Sequence, residues 1–353
     1  MRVEKERIGY FDIMKGVCII LVVIAHCCDA LGVKMADERV WSMLEHMRMP
    51  LYFFLSGMFF KEYDSALTFV VKKFNRLIVP FLFFAVVSVI PLLAVGDVPL
   101  SVGGVKGHIT WMLKYAGYLW FLRTLFVANI LYYIYNKVVS RCREHMKVVV
   151  LCVIVVAGWI VNSYLPQDEV WRRDYSAVVS VVTSMMVFPF FYVATQMKQV
   201  LANIVNIAKW KIMAMGALML AISAMSAHGG VYLMYAKVDS GAIGFYVASF
   251  SAIFAVMSVC VLMRKVLCRG YVNYVGRYSI IVYLTHMPLI TGLVKSGIVD
   301  NVYVLEAVVL ALMPVMVWML KRIVPAMVAQ RDIIMCEKGK CRVNAEAFSL
   351  KNR

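Results

Sequence analysis

The sequence predicts an all-α, polytopic membrane protein with about ten transmembrane helices and with its N- and C-termini in the cytoplasm. Apolar residues make up 63% of the 353 residues and charged residues only 16%. An ordinary soluble protein is about 45–50% apolar and about 25% charged, so this chain has too few polar side chains to cover a water-exposed surface. We therefore expect lipid around most of the chain and a multi-pass location in the cell (inner, cytoplasmic) membrane.

The transmembrane helices are predicted from apolar stretches, because a spanning helix needs about 20 mostly apolar residues. The second stretch is short, since Arg48 and Pro50 interrupt its start. We assign residues 1–323 to a transmembrane domain and residues 324–353 to a basic cytoplasmic tail that forms a surface helix or is disordered. The ten predicted spans are 10–31, 48–61, 77–96, 117–137, 147–165, 177–197, 211–228, 242–263, 274–294 and 302–322.

The charge distribution predicts the orientation. With the N-terminus inside, Lys and Arg favour the inner segments over the outer loops by about three to one, as in proteins that keep positive loops in the cytoplasm. The net charge of +17 could suggest nucleic acid in a soluble protein. Here the topology explains it, so we expect the lipid bilayer and no nucleic acid as a partner. The sequence predicts no oligomeric state.

Common soluble chemistries lack their motifs in this chain. No Walker loop, G-x-S-x-G elbow or zinc spacing occurs, so we expect no metal and no permanently bound cofactor. The nine cysteines show no metal-type pairing, and Cys336 and Cys341 are not predicted to form a disulfide. Four histidines fall in loops or near interfaces and are interpreted as solvated: His46, His108, His145 and His228.

The first predicted helix carries three ionisable residues, Asp12, Lys15 and His26. Such groups at membrane depth are costly and therefore mark candidate functional sites. Lys15 and His26 are eleven residues apart, which puts them on one helical face and separates them by roughly 16 Å along the axis. Asp12 is spaced to pair with Lys15. This geometry suits a long anionic thioester whose phosphates lie at the cytoplasmic mouth and whose reactive end reaches His26. The alternative is that Lys15 reaches the headgroups and His26 bonds a neighbouring carbonyl.

A second deep histidine, His286, lies in the ninth predicted span. Ser279 shares its helical face, and Tyr283 lies one turn away. These side chains are candidates for the same site. The alternative is an ordinary hydrogen bond between helices.

Two further clusters lie near the second and third spans. Ser56 and Gly57 interrupt the apolar run LYFFLSGMFF, where Gly57 would allow close helix approach. Lys72, Lys73 and Arg76 precede the third span on the cytoplasmic side. Phosphate binding competes here with an ordinary positive loop.

Trp120 and Arg123 lie at the outer end of the fourth predicted span. Trp120 alone is typical of the interfacial aromatic belt. Arg123 within an apolar helix requires an anionic or carbonyl partner, so it is a candidate site residue.

At these positions the chain resembles the acyltransferase-3 family of integral membrane acyltransferases, and more narrowly its fucose 4-O-acetylase-like branch. The resemblance covers most of the chain in the family's order, and the ten-span count agrees with it. The matching segments are FDIMKGVCIILVVIAHC (11–27), RMPLYFFLSGMFF (48–60), KKFNRLIVPF (72–81), YLWFLRTLF (118–126) and GRYSIIVYLTHMPL (276–289).

The resemblance implies roles for individual residues. Lys15 and His26 match the family's basic residue, ten intervening residues and histidine, and Lys73 and Arg76 match its R-x-x-R motif, with Lys in each case where Arg is usual. It implies His26 as the catalytic residue and a donor-phosphate site at Lys15, Lys73 and Arg76. The remaining implied residues support catalysis or bind the acceptor: Asp12, Ser56, Trp120, Arg123, Tyr283 and His286.

The implied reaction transfers an acyl group, usually acetyl, from cytoplasmic acyl-CoA to a carbohydrate hydroxyl of an envelope or exported glycan. Acetyl-CoA is then a co-substrate and the carbohydrate an acceptor. His26 could act as a general base in a direct transfer or carry the acyl group covalently; the first route needs only one buried histidine and is preferred. The alternative function is a multi-pass transporter or flippase, which predicts paired interrupted helices in the two halves.

Overall fold

The computed structural model describes residues 9–33, 37–63, 65–267, 270–337 and 340–344. Within these ranges the chain is almost entirely helical. Its α-helices are α1 (Gly9–Leu31), α2 (Glu38–Met58), α3 (Ala66–Lys73), α4 (Val79–Val87), α5 (Val89–Ala94), α6 (Val102–Tyr115), α7 (Trp120–Val139), α8 (Glu144–Tyr164), α9 (Glu169–Asp174), α10 (Ser176–Met186), α11 (Phe188–Gln196), α12 (Lys198–Asn203), α13 (Lys209–Ser226), α14 (Gly241–Leu262), α15 (Arg264–Leu267), α16 (Tyr271–Arg277), α17 (Ser279–Lys295) and α18 (Val302–Ile323).

Short elements complete the described fold. A π-helical turn covers Phe74–Ile78, and 3₁₀ turns cover Gly117–Leu119, Ile204–Asn206, Leu233–Tyr235 and Pro325–Val328. Two antiparallel hairpins pair β1 (Val231–Tyr232) with β2 (Lys237–Val238) and β3 (Ile334–Glu337) with β4 (Lys340–Val343).

The helices confirm the prediction of an all-α polytopic membrane protein. Seven continuous helical stretches in the described ranges are long and apolar enough to cross a membrane. They are Gly9–Leu31, Ala66–Ala94, Val102–Val139, Glu144–Tyr164, Ser176–Gln196, Gly241–Leu262 and Val302–Ile323. The three other predicted spans lie on α2, α13 and α17, so every predicted stretch coincides with a helix.

Helix α1 lies at the centre of the bundle and α8 at its edge. Most of α1 is buried, and it packs against α2, α14, α16, α17 and α18. The apolar side chains of α8, in contrast, are largely exposed, among them Val153 and Ile160. In the membrane this surface faces lipid, whereas the ionisable residues of α1 face protein.

Helix α1 touches α16 through two glycines. A Cβ atom on Gly276 would lie 1.8 Å from the carbonyl oxygen of Asp12, and one on Gly16 would lie 2.0 Å from that of Val272. Only residues without a side chain allow this approach, so the two helices meet backbone to backbone. The contact fixes the end of α1 that carries Asp12 and Lys15.

Helix α2 begins ten residues earlier than the predicted second span. Its first turn is capped by the Asp37 carboxylate, which accepts a hydrogen bond from the backbone N–H of Arg39, and Pro50 lies inside the helix. His46 on this helix is fully buried, so the prediction that it is solvated is wrong. Its Nδ1 lies 2.8 Å from the Ser42 carbonyl oxygen and its Nε2 lies 2.9 Å from Ser240 Oγ, which satisfies both ring nitrogens.

The tail after α18 is a docked hairpin rather than a surface helix or a disordered segment. The Asn75 side chain accepts hydrogen bonds from the backbone N–H groups of Ile333 and Ile334 and donates one to the Ile334 carbonyl. Lys72 pairs with Asp332 at 2.5 Å. Cys336 and Cys341 face each other across β3 and β4 and form a disulfide, which corrects the prediction that they do not. The cause is the register of the hairpin, which cysteine spacing in the sequence does not reveal.

Candidate functional site

Two cavities lie along α1. The Lys15 cavity, of about 670 Å³, is lined by Lys15, Ser56, Lys73, Arg76, Arg277 and Tyr283, among others. The His26 cavity, of about 490 Å³, is lined by His26, Asp29, Arg48, Trp120, Arg123 and Arg173, among others. The predicted alignment of Lys15 and His26 on one helix therefore places each at a different cavity.

Lys15 is held at its cavity by two contacts. Its Nζ lies 3.7 Å from Asp12 Oδ1, which confirms the predicted pairing. The same atom lies 4.0 Å from the centre of the Phe59 ring, in cation–π geometry. Phe59 also lines the Lys15 cavity.

Four cations line the Lys15 cavity: Lys15, Lys73, Arg76 and Arg277. None of its described lining residues is a carboxylate. The π-helical turn Phe74–Ile78 carries Arg76, and Lys73 ends α3 directly before it. This composition suits an anionic ligand such as a phosphate ester.

Sequence reasoning missed Arg277. It follows Gly276 in a segment that the family resemblance covers, but a lone arginine at a helix end looks like an ordinary positive-inside residue. Only the packing of α16 against α1 shows that it belongs with Lys15.

His26 and His286 come together between α1 and α17. The centres of their rings are 5.3 Å apart and the ring planes are tilted by 32°. The His26 side chain is 40% exposed to the cavity, and its Nδ1 lies 3.5 Å from Asp29 Oδ2. Such a carboxylate can orient an imidazole and stabilise its protonated form.

His286 is fully buried. Its Nδ1 lies 3.2 Å from the Val282 carbonyl oxygen, a contact that favours the tautomer with the proton on Nδ1. Its Nε2 has no hydrogen-bond partner among the described residues. A buried nitrogen without a partner is unusual, and here it leaves a lone pair available to a ligand or water.

Residues of α7 and α17 separate the two cavities. Trp120 lines the His26 cavity and the next residue, Phe121, lines the Lys15 cavity. On α17, Tyr283 lines the Lys15 cavity and Met287 lines the His26 cavity, with His286 between them. Tyr283 was predicted with the acceptor residues, but it lies on the side of the basic cluster.

Tyr118 and Tyr283 fasten this partition. The Tyr283 hydroxyl donates to the Tyr118 carbonyl, and the Tyr118 hydroxyl donates to the Leu284 carbonyl at 3.4 Å. Both rings also contact His286, with centre-to-centre distances of 6.3 Å from Tyr118 and 5.8 Å from Tyr283. A sharp turn at Ala116 and Gly117, both with positive φ, brings Tyr118 to this position.

Ser56 lines the Lys15 cavity, not the His26 cavity. Its hydroxyl donates to the Tyr52 carbonyl one turn earlier at 2.9 Å. A Cβ on the neighbouring Gly57 would lie 2.6 Å from the Phe191 carbonyl oxygen, which confirms the predicted close approach of helices at this point.

Arg123 in the His26 cavity has the carbonyl partner that the sequence required. Its Nη1 donates to the Lys114 carbonyl at 3.2 Å and its Nε donates to Ser180 Oγ at 3.1 Å. Arg48, which sequence reasoning left without a role, lines the same cavity and lies 3.8 Å from Glu45 Oε1.

Metal ligation finds no support in the described ranges, which contain no group of three His, Cys, Asp or Glu residues placed to hold a metal ion. The chemistry available at the partition is therefore that of two imidazoles, one carboxylate and the cations on either side. This set can move a proton and hold anions.

The comparisons with known proteins agree with this arrangement. A family model described as an acyltransferase domain matches residues 8–322, which includes both cavities and the two histidines. No curated protein and no solved structure matches the chain. The match covers nearly the whole described bundle, and the chain belongs to the acyltransferase-3 family of membrane acyltransferases.

Proposed function

We propose that this membrane acyltransferase moves an acetyl group from acetyl-CoA to a hydroxyl of an envelope or exported carbohydrate. The observation that carries the proposal is the pair His26 and His286 at the partition between a basic cavity and a second, mixed-charge cavity. The resemblance to the fucose 4-O-acetylase-like branch supports a sugar acceptor. The excess of Lys and Arg in predicted inner segments supports the inner membrane, with the Lys15 cavity open to the cytoplasm.

The Lys15 cavity is the donor site in this proposal. Its four cations would hold the phosphates of the donor, because oxyanions bind ammonium and guanidinium groups through short, charge-assisted hydrogen bonds. The thioester end would then point along α1 toward the partition. Lys15 and His26 are separated by eleven residues, a rise of roughly 16 Å that only an extended donor arm could bridge.

The His26 cavity is the acceptor site. His26 is accessible there, and the rings of Trp120, Tyr118 and Tyr232 supply apolar faces for a sugar ring. Arg123 provides hydrogen-bond donors at the same cavity. The acceptor hydroxyl can therefore reach an imidazole without leaving the cavity.

The chemical step is a proton transfer coupled to acyl transfer. His26 accepts the proton of the sugar hydroxyl, whose oxygen forms a bond to the thioester carbonyl carbon. The carbon–sulfur bond breaks, and the CoA thiolate leaves and takes up a proton. Asp29 would stabilise the imidazolium formed in between, while His286 with its open Nε2 assists from the partition. The second route, in which His26 carries the acetyl group, uses the same residues.

The experiment follows the acetyl group in purified protein reconstituted into lipid nanodiscs. Radiolabelled acetyl-CoA is supplied with fucose-containing and other oligosaccharides, and both acetyl ester and free CoA are measured. We expect His26→Ala to abolish both products while the protein stays monodisperse and thermally stable. His228→Ala, at an exposed histidine, is the matched control and should keep the wild-type rate.

Wild-type turnover in His26→Ala would remove His26 from the chemistry. Acceptor movement across a vesicle membrane without CoA release would support a transporter instead.

A further inference from the structure

Two arginines of the His26 cavity have no carboxylate partner. Arg123 bonds only to Ser180 Oγ and the Lys114 carbonyl, and the Arg173 guanidinium lies 5.6 Å from the centre of the Tyr115 ring. Neither forms an ion pair with any residue that the structure describes. An arginine carries five N–H donors, so each keeps donors for a ligand.

The carboxylates of the cavity are engaged on its other side. Glu45 Oε1 lies 3.8 Å from Arg48 Nη2, and Glu45 Oε2 accepts a hydrogen bond from the Val231 backbone at 3.0 Å. Asp29 lies beside His26 at 3.5 Å. The cavity is therefore polarised, with compensated charges near His26 and uncompensated positive charge at Arg123 and Arg173.

The two arginines are mounted on a common support. Arg123 bonds to the Lys114 carbonyl and Arg173 stacks on the adjacent Tyr115, so both flank the C-terminal end of α6. Ser176 Oγ donates to the same Lys114 carbonyl at 3.0 Å, which ties the start of α10 to this point.

Arg172 fixes the loop that presents Arg173. Its side chain is fully buried and donates to the Pro166 carbonyl at 2.8 Å, to Asn162 Oδ1 at 2.9 Å and to the Tyr235 carbonyl. A buried arginine that uses its donors on carbonyls and an amide has a positioning role. It holds α9 against the Leu233–Tyr235 turn, which also lines the cavity.

We propose that the acceptor is an anionic saccharide, whose carboxylate or phosphate group binds Arg123 and Arg173. Guanidinium groups recognise both anions through paired N–H donors, and the aromatic wall can contact the sugar ring between them and His26. The anion acts as an anchor that leaves a hydroxyl for His26. This inference rests on the proposed function for the fate of that hydroxyl, but the anion site itself does not depend on turnover.

The test measures binding in the absence of donor, with the His26→Ala protein in nanodiscs. The probes are methyl β-D-glucuronide, glucose 1-phosphate and methyl β-D-glucoside, and the readout is quenching of tryptophan fluorescence, since Trp41, Trp111 and Trp120 line the cavity. We expect at least one anionic probe to bind about tenfold more tightly than the neutral glucoside, as expected for a charge-assisted hydrogen bond. The comparison of glucuronide with glucose 1-phosphate identifies which anion the site prefers.

Arg173→Gln is the diagnostic variant, because this side chain is exposed and its loss leaves the packing intact. We expect it to weaken binding of the preferred anion about tenfold and to leave glucoside binding unchanged. Arg123→Lys tests the second arginine while keeping a cation. Arg143→Gln, at an exposed arginine on the loop before α8, is the matched control and should behave like the wild type.

Equal binding of all three probes, or unchanged selectivity in Arg173→Gln, would overturn the inference. Anion selectivity with no acetyl transfer by the wild-type protein would reject the proposed function and leave the anion site standing. Acetyl transfer to neutral sugars without any preference for acidic ones would do the reverse.

Discussion

His26 of α1 and His286 of α17 face each other with ring centres 5.3 Å apart. The two residues differ in environment, because His26 opens into a cavity whereas His286 is enclosed and keeps one nitrogen without a partner among the described residues. Two neighbouring imidazoles cannot both be protonated easily, so the pair favours one neutral ring that can accept a proton. A proton taken by one ring is in reach of the other.

Replacing His286 by Asn tests whether its open nitrogen takes part in the reaction. We expect kcat for acetyl transfer to fall about 10²- to 10⁴-fold, the usual contribution of a positioned acid–base group, with little change in the KM for acetyl-CoA. Nanodisc kinetics with the donor varied would separate the two parameters. His228→Asn serves as control, and a His286→Asn protein with unchanged kcat would reduce His286 to a packing residue.

Removing cations from the Lys15 cavity should weaken donor binding. We expect Arg277→Gln, and separately the double variant Lys73→Ala and Arg76→Ala, to raise the KM for acetyl-CoA about tenfold while kcat changes less, because a charge-assisted hydrogen bond to phosphate is lost. The KM of the wild type should also rise with ionic strength.

Arg322→Gln is a suitable control for the donor site. Arg322 lies near the end of α18, stacks on Trp318 with 4.4 Å between guanidinium and ring centre, and is not among the residues that line either cavity. An unchanged donor KM in Arg277→Gln and in the double variant would move the donor site elsewhere.

The sequence predicted each component of the site better than their assembly. Helical periodicity aligned Lys15 with His26, and charge in a membrane segment singled out Arg123, because both signals are local to one helix. The contact of His26 with His286 depends on α1 lying against α17, and periodicity gives the face of a helix but not its neighbour. Tyr283 was assigned to the wrong side of the partition for the same reason.

The failures elsewhere also concern long-range contacts. His46 lies near the predicted start of a span and was taken as solvated, yet Ser240 from a distant helix start satisfies its ring. Cys336 and Cys341 are paired by a hairpin whose strands are held by Asn75, some 260 residues earlier in the chain.

The backbone contact between α1 and α16 predicts a strong effect of a single methyl group. Gly276→Ala would place a Cβ 1.8 Å from the Asp12 carbonyl oxygen, so the two helices must separate. We expect a loss of about 1–3 kcal/mol in stability, typical of overpacking, and a lower midpoint of thermal unfolding. Because Asp12 pairs with Lys15, the donor KM should rise as well.

Gly107→Ala is the matched control for this substitution. Gly107 lies within α6, and no atom is found within 4 Å of a Cβ built there. Alanine is the better helix former, so this variant should be as stable as the wild type or slightly more so. Equal midpoints for Gly276→Ala and Gly107→Ala would contradict the close packing of α1 on α16.

The tail hairpin should come loose when Asn75 is replaced by alanine. This buried side chain makes three hydrogen bonds to the backbone of Ile333 and Ile334, and its loss leaves those strand groups without their partner. Limited trypsin digestion should then cut Asn75→Ala faster than the wild type at Lys340 and Arg342. Asn206→Ala, at an exposed site, should be cut at the wild-type rate. Gln330 and Ala329 in this tail line the Lys15 cavity, so release of the hairpin should also raise the KM for acetyl-CoA. If the tail is cut faster while the donor KM is unchanged, the tail has no part in donor binding.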